Sequence, residues 1–322
     1  MNQSKIVVIG SCNTDMVIKS ERLPAPGETI IGGVFLMNPG GKGANQAVAA
    51  ARMGGNVTFI TKTGNDHFGK QSIELYQAEK INTDYIRSDP EHPSGIALIT
   101  VDAKGENCIV VASGANATLS PADIDNAKDE IESAGIVLMQ LEIPMETVEY
   151  AAQIAHQKGV KVILNPAPAQ PLSDQLLKSV HIIIPNMTEA EMLSGVKVTD
   201  WASAKEAADV ISKRGVKVVV LTLGALGALV KEGDQIHQID AIPVTAVDTT
   251  AAGDTFCGTL CVGLSEGLSE GLPEELTVGL SEGFSNGLPI VDAVKLACSA
   301  SAISVTRMGA QASIPYRKDI QF

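Results

Sequence analysis

The segment DTTAAGDTF, residues 248–256, follows an apolar, β-prone run over 239–247 and precedes a helix-forming apolar run. This order predicts a helix N-terminus placed directly after a strand. The first N–H groups of a helix have no partner within it, and the helix dipole adds partial positive charge there. Because Ala251, Ala252 and Gly253 add almost no side-chain bulk, a phosphate or an oxyanion can approach these N–H groups.

Asp254 stands directly after this predicted anion site. A carboxylate next to a phosphate repels it, so the chemical use of Asp254 there would be to accept the proton of an attacking hydroxyl. A carboxylate near a helix start is also a common helix cap. The segment alone leaves both interpretations of Asp254 open, a general base and a helix cap. Motifs elsewhere in the chain are needed to distinguish them.

The composition indicates a globular protein with a large core. The 322 residues are 45% hydrophobic and carry a formal net charge of −13. Without a Lys/Arg cluster, nucleic acid and an anionic membrane surface are not expected partners. No apolar run approaches membrane-spanning length and no signal peptide is evident, which predicts a cytoplasmic protein. The five cysteines are scattered without a C-x-x-C pair, so we expect neither disulfides nor a zinc site.

Strands and helices are predicted to alternate along most of the chain. Predicted strands cover 5–9, 57–60, 136–140, 160–164, 180–184 and 216–221, and predicted helices cover 66–79, 145–157, 202–214 and 291–305. Such alternation predicts one α/β domain over 1–322 with a central, mostly parallel sheet and helices on both faces. A predicted hairpin over 94–111 breaks the pattern. Together with β-like residues near 13–36 it predicts a small second sheet, a lid over the end of the first strand.

Polar residues follow several predicted strands. They are Asn13 and Asp15 after the first strand, and later the segments QLE (140–142), NPAP (165–168), NMTE (186–189) and TLGALG (222–227). The carboxyl ends of parallel strands meet at one edge of a sheet, where open α/β folds bind ligands. Any one of these residues could be an ordinary turn or cap residue. Their convergence on one edge is what favours a binding site.

A glycine-rich segment, GGKGANQA at 40–47, opens an alanine-rich predicted helix. Its glycines would let a ligand lie close to the backbone, and Lys42 and Asn45 would supply hydrogen-bond donors. The spacing is not that of a Walker loop. The first strand-to-helix turn also lacks G-x-G-x-x-G, which argues against a nicotinamide-dependent dehydrogenase.

Residues 267–278 and 279–290 agree at six of twelve positions, which indicates a tandem duplication. Two copies are too few for a repeat fold, and their glycines and prolines oppose a continuous helix. We expect a surface excursion over 263–290 that leaves the flanking motifs intact.

Six motifs resemble, in the same order, those of the ribokinase family of carbohydrate kinases: GSCNTD (10–15), GGKGANQA (40–47), NPAP (165–168), NMTE (186–189), DTTAAGDTF (248–256) and VTRMGAQ (305–311). The resemblance covers nearly the whole chain, and it favours Asp254 as a catalytic base over a simple cap. It implies a ribokinase-like three-layer α/β sandwich with a β-lid, a homodimer paired through that lid, and phosphorylation of the 5-hydroxyl of D-ribose by ATP with Mg²⁺ and K⁺.

The resemblance also implies roles for individual residues. The sugar hydroxyls would be held by Asn13, Asp15, Gly41, Lys42, Asn45 and Glu142. Asn186 and Glu189 would organise Mg²⁺ and the phosphates through water. The nucleotide would be lined by Thr222, Gly224 and Gly227. The anion hole would be formed by Ala251, Ala252 and Gly253, with Asp254 as the base. A potassium ion would be held by Asp248, by the carbonyls of Thr250, Ser304, Arg307 and Gly309, and by the Ser313 hydroxyl.

Two other interpretations remain beside the ribose kinase. The chain could phosphorylate another sugar or a nucleoside, such as deoxyribose, fructose or adenosine, because Asp15 and Asn45 suit neighbouring ring hydroxyls without excluding close analogues. It could also be a sugar-binding regulator without catalysis on the same fold. Sugar-dependent turnover of ATP separates the kinases from the regulator, and a substrate panel separates the kinases from one another.

Overall fold

The computed structural model describes residues 4–266 and 288–320. The strands are β1 (Ile6–Ile9), β2 (Asn13–Lys19), β3 (Val34–Gly40), β4 (Val57–Gly64), β5 (Ile86–Asp89), β6 (Gly95–Val101), β7 (Asn107–Ala112), β8 (Ile136–Met139), β9 (Lys161–Leu164), β10 (Ile182–Ile183), β11 (Val218–Thr222), β12 (Gly227–Glu232) and β13 (Gln235–Asp240). The helices are α1 (Lys42–Arg52), α2 (His67–Ala78), α3 (Pro121–Asp125), α4 (Lys128–Glu132), α5 (Met145–Gln157), α6 (Asp174–Ser179), α7 (Met187–Ser194), α8 (Trp201–Lys213), α9 (Ala252–Ser265) and α10 (Ile290–Ser304).

A nine-stranded sheet forms the centre of the fold, in the order β13-β12-β11-β10-β9-β8-β1-β4-β5. The strands from β11 through β5 in this order run parallel, and β12 and β13 add an antiparallel edge. Parallel neighbours need crossover connections, which the helices between the strands provide. The prediction of a mostly parallel central sheet is confirmed.

Two hydrophobic cores lie on opposite faces of this sheet. Successive residues of a strand point to opposite faces, and in β1 Val7 and Ile9 join one core while Ile6 and Val8 join the other. The first core also takes residues of α5 and α8, and the second takes residues of α1, α9 and α10. This three-layer arrangement explains why β1 is apolar at every position, since both of its faces are buried.

A separate four-stranded sheet, in the order β3-β2-β6-β7, forms the lid. Its pairing places Met37, Met16, Leu98 and Val110 side by side in one row across the four strands. The row lies on the face opposite to Asp15, because odd and even residues of β2 point in opposite directions. Three of the four side chains are exposed in the single chain: Met37, Leu98 and Val110. The smaller sheet is confirmed, and its strands reach beyond the predicted limits to Gly40 and Ala112.

The strand predicted over 239–247 is wrong for most of its length. β13 ends at Asp240, and residues 242–247 are exposed and form no strand. β13 is the edge of the large sheet, so these apolar residues have no neighbouring strand to pair with, and Pro243 has no N–H to donate. The segment is held at its end, where the N–H groups of Val247 and Asp248 both donate to the carbonyl of Val305.

The predicted surface excursion falls mostly on residues 267–287, outside the described residues. Its described ends differ from the prediction. Residues 263–265 complete α9, and Leu288 and Ile290 are buried in the second core. The N–H of Leu288 donates to the carbonyl of Gly263 at 2.9 Å, which joins the two ends. Among the helices that the structure describes, none is long and apolar enough to cross a membrane.

Candidate active site

The N-terminus of α9 lies at the carboxyl edge of the large sheet. Ala251 precedes the helix in the left-handed conformation, with φ of 59°. Asp254, in the first turn, is only 7% exposed. Both residues line a cleft of about 200 Å³. The N–H of Ala252 donates to the carbonyl of Thr249 at 3.2 Å, so an anion bound at this turn would compete with Thr249 for that donor.

The cleft brings together residues that lie far apart in the sequence. Its lining includes Lys42, Asn165, Asn186, Glu189, Thr222 and Gly253 in addition to Ala251, Ala252 and Asp254. They lie after β9 and β10, at the last residue of β11, and in the first turns of α1, α7 and α9. Their convergence agrees with the expectation that polar strand ends meet at one edge.

Helix α1 sits against the end of β1 because glycines allow a close approach. A Cβ added to Gly43 would lie 2.6 Å from the carbonyl carbon of Gly10, and one added to Gly41 would lie 2.8 Å from the nitrogen of Asn13. Gly41 also has φ of 89°, which favours glycine. The structure therefore assigns these glycines to packing between α1 and the turn after β1. This packing brings Lys42 and Asn45 into the site.

Three of the predicted sugar-binding residues are fixed by short contacts around the turn after β1. The backbone N–H of Lys42 donates to Oε2 of Glu142 at 3.0 Å, and the hydroxyl of Ser11 donates to the same oxygen. The amide of Asn13 accepts a hydrogen bond from Nδ2 of Asn116 at 2.7 Å. Ser11 and Asn116 were missed by the sequence reasoning. Ser11 stands within the GSCNTD motif, whereas Asn116 has no signal that links it to the site.

Several carboxylates surround Lys42. Burial raises the pKa of Asp15, and together with the negative charges of Glu142 and Asp254 it brings that pKa to about 6. Burial alone would lower the pKa of Lys42, but the carboxylates of Asp254 and Glu142 outweigh it and raise that pKa. Lys42 is therefore held in its charged form inside the site, where it can partly neutralise an incoming phosphate.

Two side-chain amides hold the carboxylate of Asp254. Nδ2 of Asn45 donates to Oδ2 at 2.9 Å, and Nε2 of Gln46 donates to Oδ1 at 2.9 Å. Burial raises the pKa of Asp254, while Lys42 and these two amides act in the opposite direction. Gln46 was missed as a site residue, although two neighbouring amides in an alanine-rich helix are an unusual pattern that could have marked it.

Asn186 and Glu189 form the capping box of α7. The side chain of Asn186 accepts from the N–H of Glu189 at 2.9 Å, and Oε2 of Glu189 accepts from the N–H of Asn186 at 2.8 Å. Burial raises the pKa of Glu189. Among the described residues no group of three or more His, Cys, Asp or Glu side chains could hold a metal alone. Mg²⁺ normally binds through one or two carboxylates, water and substrate phosphates, and this pair at the cleft fits that mode.

Asp248 ties the turn before α9 to the C-terminal segment. Its Oδ1 accepts from the N–H of Thr250 at 3.0 Å, and its Oδ2 accepts from the N–H of Gly309 at 2.9 Å. The hydroxyls of Ser304 and Ser313 instead donate to nearby backbone carbonyls, of Ser301 and Ala310. A carboxylate with backbone carbonyls is the all-oxygen environment that a hard cation prefers, and the potassium site expected in this region stays a prediction.

The three residues predicted to line the nucleotide occupy different environments. Thr222 lines the cleft and forms a β-bridge with Asn186. Gly224 lies in the exposed 3₁₀ turn that follows β11. Gly227 is buried in β12, where an added Cβ would lie 2.0 Å from the carbonyl of Ile239. Packing between β12 and β13 accounts for this glycine, and its place in a nucleotide site remains a prediction.

Known proteins match nearly the whole length of this chain. Residues 3–317 match the model of the pfkB family carbohydrate kinases. The ribokinase of Haemophilus influenzae is 44% identical over 314 residues, 98% of this chain and 96% of that protein. The deoxyribokinase of Salmonella typhi is 39% identical over 254 residues, 79% of this chain and 83% of that protein. Arabidopsis thaliana ribokinase complexed with ribose and ATP superimposes with a TM-score of 0.84 at 32% identity, covering 99% of this chain and 97% of that one. The chain belongs to the pfkB family of carbohydrate kinases.

Proposed function

We propose that this protein transfers the γ-phosphate of ATP to the 5-hydroxyl of D-ribose, with Asp254 as the general base. The observation that carries the proposal is the position of Asp254. Its buried carboxylate lies at the N-terminus of α9, in the same cleft as Lys42 and Glu189. The similarity to ribokinases over 98% of the chain supports ribose as the sugar and ATP as the phosphate donor.

The chemistry assigned to these residues follows from their charges and contacts. The carboxylate of Asp254 accepts the proton of the sugar hydroxyl as its oxygen attacks the γ-phosphate. Lys42 and the N-terminus of α9 offset the negative charge of the transferred group. Asn13, Asp15, Asn45 and Glu142 hold the sugar in the orientation that brings one hydroxyl to Asp254. The lid carries Asp15 on β2, so its closure excludes water from the reacting groups.

Two ions belong to the proposal. Asn186 and Glu189 would hold Mg²⁺ through water, and the bound ion would neutralise part of the negative charge of the nucleotide phosphates. A potassium ion would be held by Asp248 and by the carbonyls of Thr250, Ser304, Arg307 and Gly309. Since Asp248 joins the turn before α9 to the C-terminal segment, an ion bound there would stabilise the turn from which Ala251 and Ala252 lead into α9.

A homodimer through the lid is also part of the proposal. The row of Met37, Met16, Leu98 and Val110 makes an apolar stripe across the whole small sheet. Such a stripe is costly to leave in water and is typical of a protein interface. A second copy of the same lid offers an identical stripe, as an isologous contact requires.

Deoxyribose is the competing substrate that an observation favours, because the deoxyribokinase of Salmonella typhi is 39% identical over 254 residues. The two sugars differ at a single hydroxyl. A site built to hydrogen-bond that hydroxyl rejects the analogue that lacks it, because buried polar groups are then left without a partner. We therefore expect ribose to give the higher kcat/KM.

The test is release of ADP from Mg-ATP with ribose, 2-deoxyribose, fructose and adenosine, with and without potassium. We expect turnover that depends on ribose and rises with potassium. Asp254→Asn should lower kcat by roughly a hundredfold or more while ribose still binds. Asp234→Asn, an exposed carboxylate between β12 and β13, is the matched control and should leave kcat unchanged. Ribose binding without ADP release in the wild type would instead establish a sugar-binding regulator.

A further inference from the structure

Gln46 is fully buried in α1 and holds the carboxylate of the proposed base. Its Nε2 donates to Oδ1 of Asp254 at 2.9 Å and to Oδ1 of Asn165 at 3.0 Å. Its Oε1 accepts from Nε2 of Gln140 at 2.6 Å. All of its polar atoms are therefore used within the protein, and it does not line the cleft.

The orientation of the Gln46 amide is dictated by the groups around it. The carbonyl of Ile184 can only accept, so Asn165 must turn its Nδ2 towards it, where the two atoms are 3.0 Å apart. Oδ1 of Asn165 then faces Gln46 and needs a donor. The ionised carboxylate of Asp254 also needs a donor, and Nε2 of Gln46 is the one group that serves both acceptors in this arrangement. Oε1 of Gln46 is left to face the amide of Gln140.

This chain of contacts links the base to the sheet. Gln140 and Asn165 directly follow β8 and β9, and Ile184 directly follows β10. Three neighbouring strand ends thus fix one amide of α1, which in turn fixes a carboxylate on α9. A carboxylate held by two amides has little freedom to rotate, and a displacement of about 1 Å at a reacting group can cost a hundredfold in rate.

We propose that Gln46 is a positioning residue of this site, which sets the orientation of the Asp254 carboxylate and keeps it ionised without touching the sugar or the nucleotide. The inference rests on the proposed role of Asp254 as the base. A hydrogen bond donated to a carboxylate favours its charged form, and Gln46 acts in this direction on the pKa of Asp254. The charged groups that surround Asp254 are Lys42, Glu142, Asp15 and Glu189.

The test compares Gln46→Met with the wild type. Methionine keeps the length and volume of the side chain but removes both donors and the acceptor. We expect kcat to fall at least tenfold, the KM for ribose to change by less than threefold, and the acid limb of the kcat profile to move up by roughly one pH unit. Gln140→Met removes only the contact that orients Gln46, and should move the acid limb in the same direction by a smaller amount.

A matched control separates this role from a loss of stability. Thr147 is equally buried, and its hydroxyl donates to the carbonyl of Leu119 at 2.7 Å, away from the cleft. Thr147→Val should lower Tm without moving the acid limb. If Gln46→Met keeps the wild-type kcat and pH profile, the positioning role is wrong. If Gln46→Met does not fold, an unchanged pH profile in Gln140→Met overturns it. No turnover in the wild type would refute the proposed function itself.

Discussion

Asn116 donates from Nδ2 to Oδ1 of Asn13 at 2.7 Å, across 103 positions of sequence. The same amide pairs with the backbone of Cys12, accepting from its N–H at 2.9 Å and donating to its carbonyl at 3.1 Å. Asn116 is 1% exposed and lies in the 3₁₀ turn at Gly114–Thr118. A turn that follows the lid therefore sets the position of the first predicted sugar-binding residue.

Replacement of Asn116 by leucine should weaken sugar binding more than catalysis. The change removes three hydrogen bonds and leaves the N–H of Cys12 without its partner, which costs about 1 to 3 kcal/mol of stability. Asn13 loses the contact that orients its amide, so we expect the Kd and KM for ribose to rise by about tenfold or more, with a smaller change in kcat. Calorimetric titration with ribose and steady-state kinetics measure both effects.

Asn126→Leu is the matched control for this prediction. The Asn126 side chain is exposed and donates to the carbonyl of Ala122 within one turn. Ribose binding should be unchanged in this variant. Equal loss of ribose affinity in both variants would contradict a specific role of Asn116.

Gly253→Ala should separate activity from stability. An added Cβ would meet no atom of the described protein within 4 Å, and Gly253 lines the cleft. The methyl group would therefore occupy space that the structure leaves for a ligand. Alanine is the better helix former by about 1 kcal/mol, so Tm should stay equal or rise. We expect kcat to fall at least tenfold because the phosphate can no longer approach the N-terminus of α9.

Gly258→Ala provides the contrast on the same helix. There an added Cβ would lie 2.4 Å from the carbonyl oxygen of Gln46 and 2.7 Å from Cβ of Ala49. Packing of α1 against α9 would have to loosen, so Tm should fall. The prediction for Gly253 is wrong if its alanine variant loses stability as Gly258→Ala does, or if it keeps full kcat.

Asp15 makes the ligand-free protein less stable as the pH rises. Its pKa is raised from 3.8 to about 6 in the folded state, so the folded protein holds a proton there that the unfolded chain has released. Between these two values the folded state binds more protons, and the free energy of unfolding contributed by this group therefore falls with rising pH. Above about pH 6 that contribution is lost.

Asp15→Asn should remove this pH dependence. Asparagine carries no charge next to Glu142 and Asp254, so the variant should have the higher Tm at pH 7 to 8, and the difference should shrink towards pH 4. The same variant should bind ribose more weakly, because a carboxylate acceptor is lost. Thermal unfolding of both proteins from pH 4 to 8 measures the difference. A Tm gap that is constant over this range would contradict the raised pKa.

The main features of the fold could be predicted because they follow from patterns of neighbouring residues in the sequence. The unbroken apolar run of β1 indicates burial on both faces, and the small residues at 251–253 with Asp254 indicate a helix start at an anion site. The meeting of Asn165, Asn186 and Thr222 at one edge could be predicted because the carboxyl ends of parallel strands lie on the same edge of a sheet. These inferences need only the periodicity of strands and the chemistry of helix ends.

The features that were missed depend on contacts between distant segments. The adjacent amides of Asn45 and Gln46 stand out in an alanine-rich helix, but nothing local shows that Gln46 faces Asp254, 208 positions away. Asn116 lies beyond the lid hairpin, so its contact with Asn13 exists only once the lid strands have paired. The strand expected over 239–247 failed for a similar reason, since a β-prone run forms a strand only where a partner strand is present.

A charge in the lid stripe should convert the proposed dimer to a monomer. Val110 is 69% exposed in the single chain and lies beside Leu98 in the row of apolar side chains. Val110→Lys places an ammonium group in the proposed contact, at the β7 end of the stripe, where each of two symmetric copies would have to bury one. The chain mass is 33.6 kDa. Light scattering should give twice this mass for the wild type and the mass of one chain for Val110→Lys. Met192 is also exposed but lies on α7, outside the lid, so the control variant Met192→Lys should leave the dimer intact. The lid contact is wrong if Val110→Lys stays dimeric, and a wild type that is already monomeric at micromolar concentration would remove the dimer from the proposal.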